Sequence, residues 1–172
     1  MDTTTCEIML DDLPSLISQL HSNDSSIRAS AAESICHLGG DALPATIALV
    51  EACADKNSNV REWAVAALED IGPPSTASIP HLTLMIGDTD PLVEYWVITL
   101  LGRCRENAMN AVPDLIASID SKKDLAVRQR ALWALCKIRP PLVVVQDVLE
   151  KVAGHDDPRL SDMARRVILS LK

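Results

Sequence analysis

Residues 55–72 read DKNSNVREWAVAALEDIG, and their reading decides the fold. Val60, Ala64, Ala67, Leu68 and Ile71 fall on one stripe of a helix, at the spacing that buries one face. Asn57 stands three residues before Val60, where its side-chain oxygen can accept from free backbone N–H groups at the helix start. Gly72 follows the last apolar residue as a helix stop. The same pattern recurs along the chain, anchored at Ile27, Val60, Val93, Val127 and Leu160, with intervals of 33, 33, 34 and 33 residues.

The columns of this repeat are consistent. Numbering from the anchor, position −3 is Asp24, Asn57, Asp90, Asp124 and Asp157, each a good N-cap. Position +4 is Ala31, Ala64, Val97, Ala131 and Ala164; position +8 is Ile35, Leu68, Leu101, Leu135 and Ile168. Pro91 and Pro158 occupy first-turn positions, where proline is tolerated. The spacing predicts helices over about 25–38, 58–71, 91–104, 125–138 and 158–171. A second helix precedes each, its start marked by Pro14, Pro44, Pro80, Pro113 and Pro141. Val143–Val145 is a β-branched run that strands also favour, but its place in the repeat predicts helix. Thr4-Thr5-Cys6-Glu7 reads as a capping box for a short helix within an N-terminal cap, residues 1–10.

On these residues, with SNDSSIRASAAESICHLGG (22–40) beside 55–72, the chain resembles HEAT repeats, particularly the compact bacterial type also found in phycobilisome (bilin) lyase subunits. The resemblance covers roughly residues 11–172. The Trp-Leu-Gly-Tyr and Thr-Pro-Leu-His signatures of tetratricopeptide and ankyrin repeats are absent. The implied fold is all-α: a right-handed α-solenoid of about five antiparallel helix pairs, a HEAT-like superhelix forming a single domain over 1–172. Its repeats would span approximately 11–40, 41–73, 77–106, 110–139 and 140–172. The resemblance also implies a ladder in which an Asp of one interhelical turn meets an Arg at +1 of a neighbouring repeat. Arg28, Arg61 and Arg128 fit it, whereas Glu94 and Ser161 interrupt it.

Composition narrows the class. The 172 residues carry a net charge of −8, with no Phe, one Tyr and three Trp, so Ala, Leu, Ile and Val must form the core. Residues 1–86 hold three Lys/Arg against twelve Asp/Glu, a balance of −9, and residues 87–172 balance to +1. That acidity disfavours nucleic acid as a partner. No apolar run approaches the roughly 18–20 residues that span a bilayer, and the acidic N-terminus lacks the basic region of a signal peptide, so a soluble cytoplasmic protein is expected. Five cysteines, an odd number without a C-x-x-C pair, read as small buried hydrophobes rather than disulfides or zinc ligands. The histidines show no metal-binding spacing, and no metal or cofactor is expected.

Position +5 should face the next repeat. It is Ala32, Val65, Ile98 and Leu132, then Arg165, which predicts that the fifth repeat is a terminal cap. In HEAT-like folds this helix lines the concave side, which places positions +2, +3, +6 and +10 on the inner surface. All four aromatic residues fall there: Trp63, Tyr95, Trp96 and Trp133. With Arg103, Arg130 and Lys137 they form the candidate partner-binding surface, of the residue types that dominate protein-binding hot spots. The sequence leaves open a second arrangement, in which each Trp lies back over the core.

No phosphate loop, nucleophile elbow or paired Cys/His is present, so the expected function is a non-enzymatic interaction module or scaffold. Its partner would be a peptide or protein segment with acidic residues near an apolar anchor. Fold analogy supplies two alternatives: a bilin-lyase-like or chaperone-like subunit holding a chromophore or client, and, more remotely, a HEAT-like DNA alkylpurine glycosylase.

Overall fold

The computed structural model describes residues 12–87, 90–120 and 124–172. The regular structure among them is helical: α1 (Leu13–Gln19), α2 (Ser25–His37), α3 (Thr46–Ala52), α4 (Ser58–Asp70), α5 (Ile79–Leu84), α6 (Pro91–Arg103), α7 (Val112–Asp120), α8 (Leu125–Ile138), α9 (Leu142–Ala153) and α10 (Pro158–Ser170). Short 3₁₀ segments span Gly39–Ala45, Thr76–Ser78 and Arg105–Ala111. The helix expected within residues 1–10 lies outside the described residues.

The second helix of every repeat begins as its cap dictates. Asp24, Asn57, Asp90, Asp124 and Asp157 each accept from a backbone N–H of the first turn, at Ser26, Asn59, Leu92, Ala126 and Arg159. Each such cap contributes about 1 kcal/mol. The apolar stripe is buried as its period requires. Val60, Val93, Val127 and Leu160 are at most 2% exposed, and Ile27, in the first repeat, is the exception at 42%. The alanines and valine at +4 and the leucines at +8 are buried too. The run Val143–Val145 is helical, with Val145 turned into the core.

The first helices of the repeats are shorter and less uniform. Pro14, Pro80 and Pro113 sit in the first turns of α1, α5 and α7, and Pro141 precedes α9. Pro44 departs from expectation, because it lies inside the 3₁₀ segment and α3 begins only at Thr46. The Thr46 hydroxyl donates to the Leu43 carbonyl at 2.6 Å, which stabilises that tighter turn.

Position +12 turns the chain after α2, α6 and α8 through the left-handed region, at Gly39 (φ 55), Arg105 (φ 52) and Arg139 (φ 58). Glycine occupies that region freely, whereas a side chain there costs about 1–2 kcal/mol. The Arg139 N–H returns to the Leu135 carbonyl at 2.9 Å and closes α8.

The chain divides into two compact units, one ending at Gly72 and one beginning at Pro73. In the N-terminal unit α2 packs on α4, with α1 and α3 behind them. Arg28 reaches from α2 to the next interhelical turn, where Nε and Nη2 grip the Asp55 carboxylate at 2.6 and 2.9 Å. That grip holds the Asp55 carboxyl below its usual value. Arg61 donates to the Asp55 backbone carbonyl instead, at 2.7 Å.

In the C-terminal unit α6 packs on α8 and α8 on α10, with α7 against α8 and α9 against α10. Arg128 bonds the Ile119 carbonyl at 2.9 Å. Ile98 and Leu132, at +5, are fully buried; Arg165 at the same position is exposed and donates to the Ala153 carbonyl at the end of α9, 3.0 Å away. Among the described residues no helix is long and apolar enough to cross a membrane.

Candidate functional site

The seven residues singled out from the sequence divide between the units. Trp63, on α4, belongs to the N-terminal unit. It is half-buried, and its ring lies 5.8 Å from that of His37 on α2 at an interplanar angle of 54°. Glu33, Glu62 and Asp70 are exposed in the same unit. The half-buried Cys36 thiol is pushed above its ordinary pKa by burial first, then by the Asp70 and Glu33 charges.

The other six lie in the C-terminal unit. On α6, Tyr95 is half-buried, whereas Trp96 is 5% exposed. The two rings meet edge to face at 5.7 Å, and the Arg103 guanidinium stands 5.8 Å from the Trp96 ring centre. The expectation that Trp96 and Thr99 face an open wall is corrected here. Thr99 is 4% exposed and its hydroxyl is spent on the Tyr95 carbonyl at 2.7 Å. The physical reason is that α6 is buried nearly all round, from Val93 to Gly102 with Tyr95 as the half-open position. Between Glu94 and Arg103 it carries no ionised side chain to hold a face in water. Among the described residues the Trp96 indole N–H finds no acceptor, a deficit of about 1–3 kcal/mol.

Glu94, the residue that breaks the arginine column, is also buried, at 1% exposure, and accepts from the Ser118 hydroxyl of α7 at 3.0 Å. The Arg-to-Glu change therefore turns position +1 inward.

Helix α8 presents Arg130, Trp133 and Lys137 along one face. Trp133 fits against α6 because residue 102 is glycine. A β-carbon there would collide with Trp133 Cζ3 and come within 3.0 Å of Cε3. Arg130 lies between rings, its central carbon 4.3 Å from the Tyr95 centroid and 5.0 Å from that of Trp133, and Nη2 donates to the Tyr95 hydroxyl. Lys137 Nζ is 5.8 Å from the Trp133 ring. Burial pushes the Arg130 pKa below its ordinary value, but a guanidinium stays charged at neutral pH.

Two open clefts flank this cluster. One of about 430 Å³ is lined by Tyr95, Ala126, Gln129, Arg130, Trp133 and Met163. The other, about 450 Å³, lies across Trp133 and Met163 and adds Cys136, Arg159, Asp162, Arg166 and Val167. Arg159 is committed to Asp157 at 2.8 Å and holds that half-buried carboxyl down to about 2. The clefts thus gather positions +2, +3 and +6 of α8 and α10 with +2 of α6. Met163, Gln129 and Arg166 occupied those columns but were not among the singled-out residues; the columns themselves were the signal that could have found them. Among the described residues no group of three His, Cys, Asp or Glu side chains could hold a metal ion.

A family model of HEAT repeats matches residues 13–89 and 79–171, and the chain belongs to the HEAT-repeat family. No curated protein matches it. Solved structures share the fold. An engineered protein superposes with a TM-score of 0.62 at 21% identity, over 93% of this chain and 79% of that one. The complex of CpcE and CpcF of phycocyanin lyase from Nostoc sp. PCC7120 gives 0.59 at 19% identity, over 95% and 99%. A designed armadillo repeat protein gives 0.58 at 15% identity, over 98% and 87%. At such identities the likeness is one of fold, that of an all-α repeat solenoid.

Proposed function

We propose that this chain is a non-enzymatic interaction module that takes a protein or peptide segment on the aromatic and basic surface of its C-terminal unit. The observation that carries the reading is the convergence of Tyr95, Arg130 and Trp133 on one open cleft. Tyr, Trp and Arg dominate binding energy at protein interfaces, because each offers a large, stiff contact area with a polar handle. Arg103 and Lys137 border this surface, and Trp96 acts as packed support beneath Arg103. Trp63 would be a separate contact in the N-terminal unit. The unbridged cysteines Cys36, Cys104 and Cys136 suit a reducing cytoplasm.

The test is selection of displayed peptides on the intact protein, followed by titration of the winners against Trp133→Ala and Tyr95→Ala. Hot-spot behaviour predicts weakening of about tenfold or more in each variant. Peptides that bind both variants as well as the native protein would sink the reading.

A second reading, a subunit that holds a chromophore or client, is favoured by the superposition on 99% of one chain of the CpcE–CpcF structure. Arg130 and Arg166 would then pair with the carboxylates of an open-chain tetrapyrrole. A shift of its visible absorption on mixing with the protein, lost in Arg130→Gln, is the expected result; an unchanged spectrum rejects the chromophore.

A further inference from the structure

A charge drawn partly out of water is ordinarily offset by an opposite charge. Arg130 departs from that rule. It is half-buried, one of its N–H groups goes to the Tyr95 hydroxyl, and among the described residues no carboxylate pairs with it. A guanidinium has five N–H donors in a rigid fork, so most of its hydrogen-bonding capacity is unspent. The Tyr95 and Trp133 rings hold the guanidinium in place, which leaves it pre-organised. Among the described residues the cleft beside it has no acidic residue in its lining.

The neighbouring cleft continues the pattern. Trp133, Met163 and Val167 provide apolar wall, and Arg166 provides a second cation. The one acid among its described lining residues, Asp162, faces Arg165 at 3.4 Å.

We propose that Arg130 is a carboxylate receptor and that the two clefts together take an acidic peptide segment. An Asp or Glu side chain would accept two parallel N–H bonds from the Arg130 fork. A following apolar side chain would rest on Trp133, Met163 and Val167, and a second acid would approach Arg166. The proposal rests on the protein-interaction reading above and specifies its partner. Charge complementarity selects the occupant. Residues 87–172 balance to +1, so a short acidic segment meets no net repulsion there.

The test uses fluorescence polarisation with a labelled peptide of alternating Glu and Leu, and with its counterpart in which Gln replaces every Glu. The native protein is expected to bind the acidic peptide about tenfold or more tightly than the amide peptide. Arg130→Gln should erase that preference, and Trp133→Ala should weaken both peptides alike. Arg130→Lys, which keeps a charge and an aliphatic stem, serves if Arg130→Gln does not fold, and should retain a reduced preference. Equal binding of the two peptides, a preference that survives in Arg130→Gln, or binding of neither overturns the proposal. Equal binding that Trp133→Ala abolishes removes the carboxylate receptor and leaves the interaction module standing. Arg130-dependent binding of duplex DNA in preference to the acidic peptide overturns the peptide assignment in favour of nucleic acid.

Discussion

Helices α4 and α6 carry the same repeat, yet they treat its columns differently. In α4 position +1 is Arg61, which reaches to backbone carbonyls of its own turn, and position +3 is Trp63, half-buried beside His37. In α6 position +1 is Glu94, buried against Ser118, and position +3 is Trp96, packed away with an orphaned N–H. The outer face of α4 is kept in solvent by Glu62, Glu69 and Asp70, while α6 runs VITLLG over 97–102. One register therefore serves two ends, a surface helix in one unit and a core helix in the other. The charge of the outward columns decides which.

The largest consequence is for stability. Trp96→Ala should cost about 3–5 kcal/mol in urea unfolding, as truncation of a buried aromatic does. Trp63→Ala, at a half-open position, should cost about 1 kcal/mol or less. Similar losses would erase the contrast between the helices. Ser118→Ala comes next. It removes a donor from the buried Glu94 carboxylate and should cost about 1–3 kcal/mol, measurable in the same melts.

The two units also differ in the left-handed residue at position +12, glycine at residue 39 and arginine at 105 and 139. Arg139→Gly should relieve strain and stabilise by up to about 1 kcal/mol, since relief of roughly 1–2 is partly offset by the entropy of a freer unfolded chain. Gly39→Ala should destabilise, and the opposite signs sharpen the comparison.

The smallest effect is electrostatic and belongs to the N-terminal unit. The Arg28 guanidinium lowers the folded-state pKa of Asp55, so the pair stabilises above the unfolded carboxyl value of about 3.9 and is lost as pH falls through the folded value. Asp55→Asn should therefore lower Tm at neutral pH and flatten its fall below about pH 4.

Much of the fold was legible because its signals are local. Each cap sits three residues before an apolar anchor, and the stripe repeats four or seven to eight residues later, so the five longer helices fall within one residue of expectation at each end. The 3₁₀ segments were not legible; Pro44 reads as a helix start on its own and is overruled by the turn around Leu43 and Thr46. For the candidate site, the columns marked Tyr95 on α6 and Arg130 and Trp133 on α8, and the structure brings the three to one cleft, because helix geometry fixes the direction of each side chain. They could not show that Trp133 needs Gly102 as its seat, nor that Glu94 meets Ser118, since both contacts join different helices. The burial of Trp96 was readable in principle from the uncharged stretch between Glu94 and Arg103.

The central claim is that three tryptophans on equivalent helical faces have different fates, and that Trp133 alone among them lines the clefts proposed to take the peptide. Fluorine NMR of fluorotryptophan-labelled protein, assigned through single Trp→Phe variants and titrated with the Glu–Leu peptide, tests it most directly. The account predicts that the Trp133 resonance moves on titration while those of Trp96 and Trp63 stay in place. Movement at Trp96 or Trp63 with Trp133 unchanged would contradict it.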